Sequence, residues 1–172
     1  MVVLHRIYRE WVQTVRHLQY LSTFLNGADK LALVFSILML MGIFMPWASA
    51  NRQLTQTGLM GGGDIHLVLS FITIFQVYKA AKYHSKALRN KKHLLLLPER
   101  LRRISLSYLL IGLISTFCAS LTLLHLGCQY TNIGHVVDVR VGFYLSSISG
   151  FAILLCGLER FIDCNKRKTG LF

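Results

Sequence analysis

The chain has 172 residues, of which 53% are hydrophobic and only 15% are charged, and its mean hydropathy is +0.49. Soluble domains are usually about 45–50% apolar and about 25% charged, so this composition is typical of a membrane protein. The formal net charge is +12. Basic charge can indicate nucleic-acid binding, but here the charges gather at the ends of apolar runs. We therefore expect the lipid bilayer, and no nucleic acid, as a partner.

Residues 1–30 predict an amphipathic helix that lies in the membrane interface. The segment has no long apolar run and no small-residue cleavage site, so it does not resemble a signal peptide. Arg6, Arg9 and Arg16 fall on one side of the helix. Apolar residues recur at helical spacing on the other side: Leu4, Ile7, Tyr8, Trp11, Val12, Val15, Leu18 and Leu25. A soluble helix packed on a partner remains the alternative.

Four apolar runs predict an all-α fold, a bundle of four transmembrane helices. Leu31–Ala50, Ile104–Leu126 and Val141–Leu158 contain no charged residue, and each is close to the roughly 20 residues that span the hydrocarbon. Ile65–Tyr78 is shorter, but the lysines after it can extend their amines to the headgroups. The membrane domain is expected at residues 31–160, with spans at about 31–50, 62–83, 104–126 and 141–160.

Positive residues predict the orientation of the spans. The stretch Lys79–Arg103 holds nine basic residues against Glu99 alone. The chain after Leu158 is also basic, with Arg160 just before the tail at residues 161–172 and Lys166, Arg167 and Lys168 within it. By the positive-inside rule, both termini and the loop at residues 84–103 are expected in the cytoplasm. The same basic residues could contact anionic lipid: Lys79, Lys82, Lys86, Arg89, Lys91, Lys92, Arg100, Arg102 and Arg103.

Local signals predict how three of the helices begin or end. Pro98 is expected at the first position of the third helix, where its missing N–H costs nothing. Trp47 follows Pro46 at the end of the first helix and is expected in the aromatic belt. Asp64 is expected to cap the second helix and to interact with its dipole.

Small residues at helical spacing predict close contact between the third and fourth helices. Such residues allow two helix backbones to approach each other. An alternative is that they face another subunit or a second copy of the chain. The residues concerned are Gly112, Ser115 and Ala119 in the third helix, and Gly142, Ser146, Gly150 and Gly157 in the fourth.

Histidines near the outer surface are the only candidates for a metal or haem site. His66 and His125 lie at the predicted outer ends of the second and third helices, and His135 lies in the second outer loop. Imidazoles can hold zinc, copper or haem iron, but no metal-ligand spacing links these three residues. We interpret His66 as marking the water boundary of its helix, and we expect no metal, cofactor or catalytic residue.

The cysteines argue against disulfide chemistry. Cys118 and Cys156 lie within spans and Cys164 follows the last one, so Cys128 alone is expected outside. Four-helix disulfide oxidases need paired cysteines in the outer loops. Since no nucleophile–base pair or phosphate-binding loop is evident either, the chain is not expected to be an enzyme.

Two stretches carry a resemblance to small bacterial membrane proteins. "FMPWASANRQLTQTGLMGGGDIHLVLSF" resembles a pattern in uncharacterised four-helix integral membrane proteins, in which Pro-Trp closes the first helix and a Gly-rich turn opens the second. "VGFYLSSISGFAILLCG" is similar to their last helix. The resemblance covers about 45 residues and implies a fold and a topology, but no activity.

Three hypotheses for the function follow. The first is a non-enzymatic packing or scaffold subunit that binds other membrane subunits or itself, placed in the bacterial inner membrane with both termini inside. The second is a small oligomeric channel or transporter, lined by Ser70, Thr73 and Gln76 at successive turns of the second helix. The third is a redox protein that binds haem or metal through His66 and His125.

Overall fold

A computed structural model describes residues 12–13, 16, 19–20, 22–50, 54–59, 63–131 and 137–168. Within this part of the chain, four long helices are apolar enough to cross a membrane, so the protein is a multi-pass membrane protein, as predicted. The helices are α1 (Gly27–Phe44), α2 (Asp64–Arg89), α3 (Lys91–Thr131) and α4 (Val141–Lys168).

The helices pack side by side around one core. α4 contacts α1 and α3, and α2 contacts the same two helices from the other side. Each helix contributes buried side chains to the core, among them Met39, Val77, Tyr108 and Ile153. Large apolar side chains also point outward along all four helices, which fits a surface covered by lipid rather than by water.

A three-stranded antiparallel sheet, which the sequence did not predict, joins the two short connections. Its strands are β1 (Pro46–Ala50), β2 (Leu54–Thr57) and β3 (Val137–Val139), with β1 in the centre. Arg140 reinforces the sheet, because its backbone N–H donates to the Trp47 carbonyl (2.8 Å) and its guanidinium donates to the Ser49 hydroxyl. We call this end of the helices the sheet end, and the end where α2 and α3 meet at Asn90 the basic end.

The predicted basic loop at residues 84–103 is helical, with a break at Asn90 alone. The prediction that Pro98 begins the third helix was wrong, since α3 begins seven residues earlier and contains Pro98. Asn90 explains the early start. Its side-chain oxygen accepts from the Lys92 N–H (3.0 Å) and its carbonyl accepts from the Leu94 N–H (3.2 Å). These bonds satisfy N–H groups that a helix N-terminus leaves free.

Both ends of the chain differ from the predicted bounds. α1 begins at Gly27 rather than at residue 31 and ends at Phe44, where the chain turns into β1. α4 continues through most of the predicted tail, to Lys168. Much of the predicted interfacial helix at residues 1–30, including Trp11, lies outside the described residues. Near its end, interactions with Arg89 and Ser85 of α2 lower the pKa of the Tyr20 hydroxyl.

Candidate functional site: buried polar residues between the helices

Three helices meet at a buried charged cluster at the basic end. Asp29 of α1 forms an ion pair with Arg160 of α4, and both side chains are almost completely buried. Tyr108 of α3 donates its hydroxyl to the same Asp29 oxygen at 3.2 Å. Arg160 also donates to the side-chain oxygen of Asn26 at 3.3 Å. The cluster therefore joins α1, α3 and α4 through polar contacts.

Local structure places each member of this cluster. Asn26 is the N-cap of α1 and accepts from the Asp29 N–H at 2.9 Å, which fixes Asp29 in the first turn. There the carboxylate interacts favourably with the helix dipole. Gly157 lies one turn before Arg160, and a Cβ at this position would lie 2.7 Å from the Leu109 nitrogen. The glycine thus allows α3 and α4 to approach closely enough for both to reach Asp29.

Burial decides the chemistry available to this cluster. Removing two charges from water costs several kcal/mol per ion, and only the mutual attraction and added hydrogen bonds offset this cost. Asp29 and Arg160 are therefore much more favourable together than either would be alone. The arrangement suits a fixed connection between helices rather than a group that exchanges partners.

A small cavity of about 60 Å³ adjoins this cluster, and its lining includes Asn26, His84, Arg160, Asp163 and Cys164. Its size and polar lining would admit water. Although imidazole, carboxylate and thiol groups lie along its walls, no group of three metal-ligating side chains is close enough to hold an ion in the described part of the chain.

At the sheet end the buried contacts are mainly aromatic. The Trp47 ring packs edge-on against His66 (centroids 5.4 Å apart) and against Phe143 (5.5 Å). The Trp47 indole N–H donates to the Gly42 carbonyl at 2.9 Å. Trp47 is 1% exposed, so its predicted place in an aromatic belt was wrong. Because its N–H finds a partner inside the protein, the indole can be buried with the core.

His66 is fully buried, so the prediction that it marks the water boundary of α2 was also wrong. Among the described residues, neither ring nitrogen makes a well-formed hydrogen bond, although the Ser115 backbone of α3 interacts with the imidazole. The buried Ser115 hydroxyl also lacks a hydrogen-bond partner among these residues. Asp64 is exposed at the first position of α2. Gly63 is the N-cap and no side chain caps the helix, which contradicts the predicted capping role of Asp64.

The predicted metal candidates do not come together. His125 is exposed on α3. It lies ten residues beyond Ser115, whose backbone interacts with the His66 imidazole, or about 15 Å further along the helix. His135 lies outside the described residues. The predicted channel-lining hydroxyls are turned toward their own helix, since Ser70 donates to the His66 carbonyl (2.7 Å) and Thr73 donates to the Leu69 carbonyl (2.8 Å).

The predicted small residues lie between helices of this one chain. A Cβ at Gly112 would collide with the Leu154 Cβ, and one at Gly150 would collide with the Ser115 hydroxyl oxygen. Gly142 of α4 approaches α1, where the Gly42 carbonyl would lie 2.7 Å from an added Cβ. The remaining members, Ala119, Ser146 and Gly157, are also buried.

The predicted lipid-contacting residues lie along the basic end of α2 and α3. Most are exposed, and Arg103 forms an ion pair with Glu99 at 2.6 Å. Lys82 lies over the Tyr78 ring and Arg102 lies over the Phe161 ring. Arg103 also lines a larger cavity between the two helices, together with Lys79 and Arg100.

Sequence reasoning missed the buried pair of Asp29 and Arg160. Asp29 fell within the predicted interfacial segment, and Arg160 was counted as a topology-determining charge. A signal for Asp29 was present, because Asn26 followed three residues later by an acidic residue, just before an apolar run, is a helix N-terminus pattern. Nothing local in the sequence marks Arg160 as its partner.

The chain matches no protein-family model, and no curated protein and no solved structure proved similar to it. Its own fold therefore defines its class, a multi-pass membrane protein with four membrane-length helices in the described part of the chain. Any more specific function has to be argued from the residues described above.

Proposed function

We propose that the chain is a non-enzymatic membrane subunit, a four-helix bundle that assembles with another membrane protein or with copies of itself. The observation that carries this proposal is an apolar surface at the basic end. Leu88 of α2 and Leu94, Leu95 and Leu96 of α3 are exposed, Leu95 to 83%. We call these four leucines the hairpin tip.

The position of the hairpin tip supports a protein partner rather than lipid. Lys79 is the first charged residue after the apolar run of α2 and lies ten residues before Arg89, about 15 Å along the helix. The headgroup region on each side of a bilayer is only about 5–8 Å thick. If the headgroups begin at Lys79, the tip extends past them into water, where exposed leucines are unfavourable unless another protein covers them.

The charge around the hairpin tip favours one kind of partner. Arg89 and Lys92 are exposed and adjoin the leucines along the chain, and the whole chain carries a net charge of +12. A second copy of the tip would be repelled, since like charges brought together in an interface are costly. A partner that presents apolar side chains among acidic groups fits this surface better.

The bias of basic residues supports an orientation with the basic end and both termini in the cytoplasm. The short connections that form β1, β2 and β3 would then face outward. They carry no Asn-X-Ser/Thr acceptor site, which favours a bacterial inner membrane. Labelling of single cysteines at Lys92 and at Asp138 with an impermeant reagent tests the orientation, and modification of position 92 in intact cells would overturn it.

The channel or transporter remains the alternative, but the contacts within the helices favour it less. Ser70 and Thr73, two of its three predicted lining residues, are fully buried and bonded to their own helix backbone. The third, Gln76, lines a cavity between α2 and α3. α1 and α4 meet at backbone contact near Gly42 and Gly142. Ion flux through proteoliposomes that is abolished by Thr73→Phe would restore this alternative.

Purification of the tagged chain in mild detergent tests the proposed subunit function. We expect a partner to copurify, and Leu94→Ala/Leu95→Ala to reduce its yield at least about tenfold, as loss of a central apolar contact typically costs 2 kcal/mol or more. Leu113→Ala/Leu124→Ala removes two exposed leucines from the membrane span of α3 and serves as the matched control. A monodisperse monomer without a partner, or equal loss in both variants, would overturn the proposal.

A further inference from the structure

A cavity of about 370 Å³ opens between α2 and α3 at the basic end. Its polar lining comes from both helices. α2 contributes Gln76, Lys79 and Tyr83, and α3 contributes Arg100, Arg103 and Ser107. Three cationic groups therefore surround one cavity, and the described lining contains no carboxylate.

Neighbouring aromatic and acidic groups hold these cations in place. The Lys79 ammonium lies 4.5 Å from the centre of the Phe75 ring, and the Arg100 guanidinium lies 5.0 Å from the centre of the Tyr83 ring. Arg103 pairs with Glu99 beside the cavity. One carboxylate offsets one of the three cations, so the cavity keeps a net positive charge. The guanidinium groups can each donate two parallel hydrogen bonds to phosphate oxygens.

The depth of the cavity indicates what carries the phosphate. Lys79 directly follows the uncharged run Ile65–Tyr78, and Arg103 directly precedes the run Ile104–Leu126. The first charges after an apolar span lie at the level of the lipid headgroups. Two turns further toward the bilayer centre, Ile72 and Leu110 are exposed and apolar. Each lies seven residues from a cation of the cavity, Lys79 or Arg103, and so on nearly the same face of its helix. These faces therefore offer cations to a phosphate and an apolar surface to an acyl chain.

We propose that this cavity is a specific binding site for the phosphate group of an anionic phospholipid, with an acyl chain along Ile72 and Leu110. Basic pockets between membrane helices on the cytoplasmic side recognise lipid headgroups in this way. The site differs from a diffuse attraction, because only three of the nine basic residues in this region line the cavity. It does not depend on the proposed protein partner.

Native mass spectrometry of the detergent-purified chain tests this site. Phosphatidylglycerol, phosphatidylcholine and inorganic phosphate are the probes. We expect phosphatidylglycerol to bind in a ratio of one per chain and more tightly than phosphatidylcholine. Lys79→Gln/Arg100→Gln should weaken it about 30-fold, since two contacts to the phosphate are lost. The exposed Arg103→Gln, which disturbs the fold least, should weaken it about threefold or more.

Lys92→Gln/Arg102→Gln is the matched control, because it removes two exposed basic residues that do not line the cavity. We expect a change of less than about threefold, as more distant charges are largely screened. Equal weakening in both double variants would show diffuse attraction and overturn the proposal. Displacement of the lipid by inorganic phosphate at an equal concentration would assign the cavity to a free anion instead.

Discussion

At the basic end of the helices, a carboxylate, a guanidinium and a phenol meet away from water, whereas at the sheet end an indole, an imidazole and a phenyl ring meet. Asp29 and Arg160 each depend on the other, because either charge alone would be buried without compensation. Trp47 and Phe143 depend on packing, and His66 among them makes no well-formed hydrogen bond in the described residues. A single substitution at the basic end should therefore lower the free energy of unfolding more than one at the sheet end. Only a second substitution, at the partner residue, should recover that loss.

Loss of Arg160 should produce the largest effect. Arg160→Met leaves the Asp29 carboxylate buried without its cation and should lower the free energy of unfolding by about 3–5 kcal/mol. The double variant Asp29→Leu/Arg160→Met should recover most of this loss, since apolar pairs of similar volume often replace buried ion pairs without cost. Denaturant titration in mixed micelles measures both.

Arg102→Met is the matched control for this prediction, as Arg102 is exposed on α3. Its free energy of unfolding should change by less than about 0.5 kcal/mol. If Arg160→Met were as mild as the control, the difference between the two ends of the molecule would disappear.

A glycine contact at the sheet end should rank second. A Cβ at Gly142 would lie 2.7–2.8 Å from the carbonyl oxygens of Gly42, Met45 and Pro46. Gly142→Ala should therefore force α1 and α4 apart and lower the free energy of unfolding by about 1–3 kcal/mol. Gly27→Ala is its control, because no other atom lies within 4 Å of a Cβ at Gly27. Equal thermal stability of both variants would contradict the close approach.

The sequence predicted the helices far better than the contacts between them. Uncharged runs of about 20 residues are a local property, so four spans could be found directly. The sheet could not be predicted in this way, because its strands have only three to five residues. In addition, β1 pairs with β3, which lies about half the chain length away. The pairing of Asp29 with Arg160 also depends on the arrangement of the helices. Local sequence signals also placed Trp47 in the aromatic belt. They could not show that His66 of α2 and Phe143 of α4 surround it.

Replacing His66 should raise the free energy of unfolding, whereas Arg160→Met and Gly142→Ala should lower it. Beyond an interaction with the Ser115 backbone, its two ring nitrogens are buried without a well-formed hydrogen bond among the described residues, which is unfavourable in an apolar environment. His66→Leu should keep the packing against Trp47 and raise the free energy of unfolding by about 1 kcal/mol. His125→Leu, at an exposed histidine of α3, should leave it unchanged. A loss of stability or assembly in His66→Leu alone would reveal a partner or a ligand for the imidazole.

Substitutions of Asp64 should change the free energy of unfolding least. The size of this change tests at which residue α2 begins. The carboxylate is exposed at the first helical position and caps nothing, so only the helix dipole stabilises it. Asp64→Asn should cost about 0.3–1 kcal/mol, less at high salt, because the dipole interaction is electrostatic and screened. Asp64→Ala should cost the same, since both variants lose only the charge. If Asp64→Asn were neutral and Asp64→Ala cost about 1 kcal/mol, the side chain would be a cap after all, and α2 would begin one residue later than Asp64.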